Sequence, residues 1–381
     1  MVCGLLVSGG SNCRLWVYKH GDPRVLVNVR GPEPLRRWTV LRFSYPERRV
    51  SKQSSPSHDA NMGAYGLAVS AAIEPELLVP AEASWPRWAV SVEIGERPAT
   101  FVEVIGDAQS EIPTSPNGYM TVSRTEATTV VRVRSLSHHA LPHPYLGSTA
   151  VLTSPWLGRT SMHAGAFVVD GRVWGVLAGR DGGKSSTLAW FAVNDIAVFA
   201  DDVLVLSRER AFAAPRVIDL RAGAAEHFGV GVNIGVVGAR ERWRVRLAPV
   251  PGELPMAGWV AIEWGDRVEV SMVGAAERGA RLSEGKALLR PERDPLLWLS
   301  VISLPMIRLS RPKDWGKIGS AMAILLDAIA AVSAAKASHR GPRANRLAGP
   351  RRELGGHAQP GFDISSGQSV SPLSEPPAGH G

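Results

Sequence analysis

Val176-Leu177-Ala178-Gly179-Arg180-Asp181-Gly182-Gly183-Lys184-Ser185-Ser186-Thr187-Leu188 is the stretch on which the fold turns. Before it, Ala166–Val169 and Val173–Ala178 are apolar runs joined by Asp170-Gly171, a pair that favours the tight turn of a hairpin. After it, Lys184–Val193 has the length and composition of a helix. A glycine-rich turn between a strand and a helix is what a phosphate requires. Glycines let backbone N–H groups turn inward, the helix N-terminus adds partial positive charge, Lys184 reaches the outer phosphates, and Ser185 can ligate Mg2+. Gly179, Arg180, Asp181, Gly182, Gly183, Lys184, Ser185 and Ser186 are therefore the candidate nucleotide-binding residues. The pattern Gly-x-x-x-x-Gly-Lys-Ser is met with one departure: Ala178 stands at the first glycine position and Gly179 follows one residue late. The competing reading is a glycine-rich strand–helix turn carrying a solvated lysine.

Outward from the loop, Ala197–Ala200 and Val203–Leu206 read as strands flanking Asp201-Asp202, which begins 17 residues after Lys184. An α/β unit returns its next strand to the neighbourhood of the loop at about that distance. Neighbouring strand residues face opposite ways, so one carboxylate can hold Mg2+ while the other accepts a hydroxyl proton. A plain β-turn accounts for Asp-Asp as well. His163 heads the strand that feeds the hairpin, and Arg216–Leu220 forms a further strand. Strands alternating with helical segments give an α/β class.

The rest of the chain frames this centre. Ala89–Ile94, Thr100–Ile105, Tyr119–Val122 and Thr128–Val133 read as strands of a small β-rich region over 62–155, and 156–336 as the nucleotide-binding domain. Trp259–Glu263 and Arg267–Val273 read as a second hairpin across Gly265-Asp266, and Trp315–Ala335 as a closing helix. Its apolar part, Ala321–Ala335, contains Asp327 and is too short for a membrane span. Residues 1–61 are expected to be a disordered or mispredicted extension, with Met62 as an alternative start, and 337–381 a disordered tail rich in Gly, Pro, Ser and Arg.

The net charge of +8 belongs to these ends. Residues 1–61 hold ten Lys/Arg against four Asp/Glu, and 337–381 hold five against three, leaving 62–336 neutral. A neutral centre argues against nucleic acid as a partner. Both cysteines, Cys3 and Cys13, lie near the N-terminus, which excludes a cysteine nucleophile or a zinc–thiolate site in the core. The start lacks the basic residues and apolar run of a signal peptide, so the expectation is a soluble, cytoplasmic protein with no membrane partner. His138, His139 and His143 cluster without cysteines or spaced carboxylates, a poor metal site. Arg240, Arg242, Arg244 and Arg246 alternate on one face of a strand, either to hold an anion or as a charged edge that blocks pairing.

Taken in order, His163-Ala-Gly-Ala, the strand–Asp-Gly–strand hairpin, Gly-Gly-Lys-Ser, Ala200-Asp201-Asp202-Val203 and Asp219-Leu220-Arg221 resemble the C-terminal domain of HPr kinase/phosphorylase. More specifically, they are similar to the HPr-kinase-like proteins of bacterial peptide-tailoring clusters, including lasso-peptide kinases. The resemblance covers about 163–221 well and extends weakly to 335. It implies a phosphoenolpyruvate-carboxykinase-like P-loop core of mixed sheet and helices that transfers a phosphoryl group from ATP to a seryl hydroxyl. Carried over by position, it makes Lys184 a ligand of the β/γ-phosphates and puts Ser185, Asp202 and Asp219 on Mg2+. Asp201 becomes the general base, His163 sits beside the phosphates, and Arg221, at the Arg of the family's Glu-x-Arg-Gly signature, is a third catalytic residue. Asp219 replaces the Glu and Ala222 the Gly of the family's Glu-x-Arg-Gly signature, so kinase activity is expected over phosphorolysis. The acceptor would be a peptide or small protein. A catalytically weak or inactive nucleotide-binding regulator or scaffold of a biosynthetic cluster is the alternative. Homo-oligomerisation stays open.

Overall fold

The computed structural model describes residues 61–114, 117–135, 138–238, 240–288 and 294–339, with a short ladder of Leu15–Trp16 on Leu26–Val27. Apart from that ladder and a helix ending at His339, the expected extension and tail lie outside the described residues.

The chain is α/β, built on mixed sheets and helices. Residues 62–133 form an eight-stranded sheet in which Arg87–Ile94 pairs parallel with both Leu67–Ser70 and Thr128–Val133. Its strands Met62–Ala64, Leu67–Ser70 and Gln109–Thr114 carry too little alternation to stand out in the sequence. Of the strand expected at Thr100–Ile105, only Val104–Ile105 is extended and paired. Helix α1 (Leu146–Thr153) links this sheet to the next.

The second sheet has nine strands and carries the site. Three of them, Arg172–Ala178, Glu253–Trp264 and Met306–Arg311, run parallel side by side. Parallel strands buried on both faces read as unbroken apolar runs, and Trp259-Val260-Ala261-Ile262 is such a run. Alternation then divides the core. Trp174, Val176, Val260 and Ile262 face α2 (Lys184–Val193), α3 (Ala222–Phe228) and α6 (Ile318–His339). Val173, Leu177, Trp259 and Ala261 face the other way, into a core shared with the eight-stranded sheet and α1. The regions 62–155 and 156–336 thus keep separate sheets but share one apolar core.

The register of the parallel pair is locked by two reciprocal fits. Trp174 lies opposite Gly258 and Gly175 opposite Trp259. A Cβ on Gly175 would come 2.4 Å from the Trp259 ring, and one on Gly258 would come 2.5 Å from Trp174. Each indole therefore occupies the space the facing glycine leaves.

The expected hairpin across Gly265-Asp266 does not form. Glu253–Trp264 and Glu269–Met272 are separated by Met306–Arg311, which pairs parallel with the first and antiparallel with the second. The Gly265 N–H donates to the Arg311 carbonyl at 3.0 Å, so the turn residues close onto the inserted strand. The apolar run Leu297–Ile307 divides into α5 (Pro295–Ser303) and the start of that strand. The closing helix α6 is longer than its apolar stretch suggested. With the turn before it, Trp315–Ala335 is long and apolar enough to cross a membrane by length and composition, although Ile318, Ala321, Met322, Leu325 and Ile329 are buried against the sheet. A three-stranded antiparallel sheet completes the fold, with Arg240–Arg246 central between Val217–Leu220 and Val232–Val237. The arginine-rich strand is therefore not an edge, and its charges do not serve to block pairing.

Candidate active site

Three parallel strands end at the same edge of the sheet, and their C-terminal ends build one wall of a cavity of about 990 Å3. Ligands of α/β sheets gather at that edge. The hairpin strand delivers the loop Gly179–Gly183, its neighbour delivers Trp264, and the third delivers Arg311 paired opposite Trp264. The expected helix begins at Lys184 as read from the sequence.

The loop's glycines are not equivalent. Gly183 caps α2 in the left-handed region at φ 86°, with no side chain capping the helix, so the first-turn amides stay open to an anion. A Cβ there would also strike Arg311 and Trp264 at 2.8 Å. Gly182 has backbone 2.8 Å from its missing Cβ, whereas Gly179 has open space. Ala178 lies in strand register opposite Ile262 with no positive φ, so the departure from the glycine pattern costs no backbone strain. The loop's tip is held from two sides. The Asp181 carboxylate takes a hydrogen bond from Arg221 and lies 3.8 Å from Arg240, and its carbonyl accepts from Trp264 Nε1 at 3.2 Å.

The Asp201-Asp202 pair meets the start of α2. Ser185 Oγ donates to Asp201 Oδ1 at 3.2 Å. Asp202 Oδ1 lies 3.5 Å from Lys184 Nζ and 3.2 Å from His163 Nδ1, while His163 Nε2 is 3.3 Å from Lys184 Nζ. This network fits a neutral imidazole that donates from Nδ1 to Asp202 and accepts the lysine's hydrogen bond at Nε2. Burial, then the charge of Lys184, pushes the His163 pKa down, consistent with that form. Asp202 lines the cavity and Asp201 lies beneath it. The resemblance makes Asp201 the base and Asp202 the metal ligand. The carboxylate beside Ser185 is Asp201, and the one facing the cavity is Asp202.

The two carboxyls also differ in acidity, burial prevailing at one and neighbouring cations at the other. Burial pushes Asp201 up to about 6, helped by the charge of Asp202 and opposed by Lys184. Burial pushes Asp202 up too, but Lys184, His163 and His143 together outweigh it and hold its pKa below the usual range. A carboxyl raised in the folded state stabilises the fold most at low pH, and that contribution fades as pH rises through the folded value. His163, with its pKa lowered, acts in the opposite sense, so the prediction concerns a difference. The Tm of Asp201→Asn minus that of the nucleotide-free wild type is expected to grow as pH rises from about 4 to about 7. Thermal melts of the two proteins across that range check this, and a constant difference would count against it.

Asp219 has a different partner from the metal expected. Both of its carboxylate oxygens accept from Arg244, at 2.7 Å each, in a pair that is almost wholly buried. The arginine row therefore divides. Arg240 and Arg242 line the cavity, Arg244 clamps Asp219 and also donates to the His139 carbonyl at 2.8 Å, and Arg246 reaches Glu74. Arg221 is at the cavity as expected, in contact with Asp181. Among the described residues no cluster of three His, Cys, Asp or Glu side chains is grouped to hold a metal ion. His143, from the histidine group read as a poor metal site, lines the cavity, and so do Trp264 and Arg311, which no local motif announces.

No protein-family model matches the chain, and no curated protein matches it. Among solved structures it is similar to the HPr(Ser) kinase/phosphatase from Coxiella burnetii, at 14% identity and a TM-score of 0.23, covering 47% of this chain and 98% of that one. A score this low supports no residue correspondence, so the site stands on its own geometry.

Proposed function

We propose that the protein is an ATP-dependent phosphotransferase acting on a hydroxyl, by the resemblance noted above a seryl hydroxyl of a peptide or small protein. In this reading its second sheet is a P-loop core of the HPr-kinase-like kind. The observation that supports it is the meeting of an open-amide glycine loop with two carboxylates of split acidity, one against Ser185 and one against Lys184 and His163. Environments that push a pair of carboxyls apart give acid and base different work.

The donor set fits Mg2+. Ser185 Oγ and Asp201 are an adjacent hydroxyl and carboxylate, and this hard cation is held by one or two such oxygens together with the substrate's own phosphates. Bound there, it would neutralise charge on the β- and γ-phosphate oxygens. The chain's residues do the rest. The amides at the start of α2 and Lys184 hold the phosphates, and Arg240 and Arg242 face the cavity with cations for the transferring group. Asp202 takes the proton from the acceptor hydroxyl as the new O–P bond forms and the bond to the β-phosphate oxygen breaks, with ADP leaving. His163 keeps Asp202 in place through Nδ1–H and is a positioning residue.

A second reading, nucleotide binding without turnover, is favoured by one observation. Asp181 already engages Arg221 and Arg240, cations that would otherwise stabilise a transferring phosphoryl group. Transfer of radiolabel from ATP to a panel of seryl peptides separates the two readings. Lys184→Ala is expected to weaken Mg·ATP binding by about 10- to 100-fold and to abolish the labelled peptide. A wild type that binds Mg·ATP but labels no hydroxyl peptide supports the second reading, and a wild type that binds none overturns both.

A further inference from the structure

Among the described residues, Arg311 is a buried cation without an anion. The residue is 2% exposed, and its Nε and Nη2 have no hydrogen-bond partner. Nη1 reaches only the Pro312 carbonyl, at 3.4 Å. Among the described residues, no carboxylate lies within ion-pair distance of it. Arg244, at a similar depth, is clamped by Asp219, and the exposed Arg221 has Asp181. A guanidinium carries five donors and cannot shed its charge, so leaving two of its nitrogens dry is costly unless something anionic arrives. Burial alone already pulls its pKa down.

The location says what would arrive. Arg311 closes the strand Met306–Arg311 at the same sheet edge as the phosphate loop, and its guanidinium stacks on Trp264, 4.6 Å from the ring centre. Stacking fixes the plane of the fork, and two of its donors, the buried Nε and Nη2, have no partner. Nη2 lies against Gly183, 2.8 Å from where a Cβ would stand, so a larger residue there would block the approach from guanidinium to loop. Trp264 is itself tied to the loop through the Asp181 carbonyl.

We infer that Arg311 is a phosphate-binding residue: its free Nε and Nη2 edge takes a phosphoryl oxygen of the nucleotide held by the loop, making with Lys184 a cradle of two cations. This rests on the nucleotide-binding reading above. Bound phosphates would supply the anion that this guanidinium lacks among its neighbours.

The test is titration calorimetry of the full chain with Mg·ADP and, separately, with inorganic tripolyphosphate, on wild type, Lys184→Ala and Arg311→Met. Arg311→Met is expected to weaken both ligands roughly 10- to 100-fold. It should also leave the Tm of the nucleotide-free protein unchanged or higher, because an unpaired buried charge has been removed. If Lys184→Ala weakens binding while Arg311→Met stays within threefold of wild type, the inference is overturned and the phosphate loop stands. If the wild type binds neither ligand, the parent reading falls and takes the inference with it. Weaker binding accompanied by a lower Tm in the free protein assigns Arg311 to structural support and also overturns it. Should Arg311→Met fail to fold, Arg311→Lys keeps the cation without the fork, and the same binding thresholds decide.

Discussion

Asp202→Asn is expected to lower phosphoryl transfer by about 10²- to 10⁴-fold while leaving Mg·ATP affinity within a few-fold of wild type. The carboxylate lines the cavity, is held by Lys184 and His163, and its depressed pKa keeps it ionised, a weak base whose part is to orient the acceptor hydroxyl and take its proton late, as the O–P bond forms. The amide keeps the size and can still accept from Lys184 and His163, but it cannot be protonated usefully. Asp201→Asn should behave differently. It changes the oxygen set beside Ser185, so its defect should shrink as Mg2+ is raised, whereas that of Asp202→Asn should not. Single-turnover rates across a Mg2+ series distinguish the two. If Asp202→Asn transfers phosphate at the wild-type rate, the role assigned to Asp202 is wrong.

Arg244→Ala should destabilise the fold by about 3–5 kcal/mol, because it leaves the Asp219 carboxylate charged, buried and unpaired. The Asp219 side chain is 1% exposed and that of Arg244 5%, so water cannot replace the lost fork. The same substitution also strips the His139 carbonyl of a donor. The double change Asp219→Asn with Arg244→Leu removes both charges together and should recover much of the loss. Urea unfolding of the three proteins measures this, and a loss below about 1 kcal/mol in Arg244→Ala would sink the argument. The effect reaches the cavity as well, since the strand that carries Asp219 continues directly into Arg221.

What could be read from the sequence was local. The hairpin across Asp170-Gly171, the loop, the first residue of α2 and the strands on either side of Asp201-Asp202 are all set by neighbours within a few residues, and each emerges where the residues placed it. What could not be read depends on pairing between distant segments. Gly265-Asp266 has turn chemistry, yet Met306–Arg311 enters the sheet between its flanking strands from some 40 residues away. The same insertion carries Arg311 to the loop, which is why no local pattern announces it. The resemblance puts Asp219 on metal by position alone. Its partner Arg244 lies 25 residues on, across an antiparallel register that alternation suggests but does not fix. The order of roles within Asp201-Asp202 likewise depends on which side chain turns toward Ser185, a question of backbone conformation at Asp202, where φ is +68°.

The interlock of Trp174 with Gly258 and of Trp259 with Gly175 works as a ruler for the cavity wall. If the two strands slid by one residue, each indole would lose its glycine and face a side chain, so no intermediate sliding position is comfortable. The interval between the end of one strand, where the loop departs, and the end of the next, where Trp264 meets Arg311, is thereby counted in whole residues far below the surface. Substitutions at these four core positions, none of which lines the cavity, should be tolerated only in matched pairs. In homologous chains they would change together, glycine for indole on one strand with indole for glycine on the other.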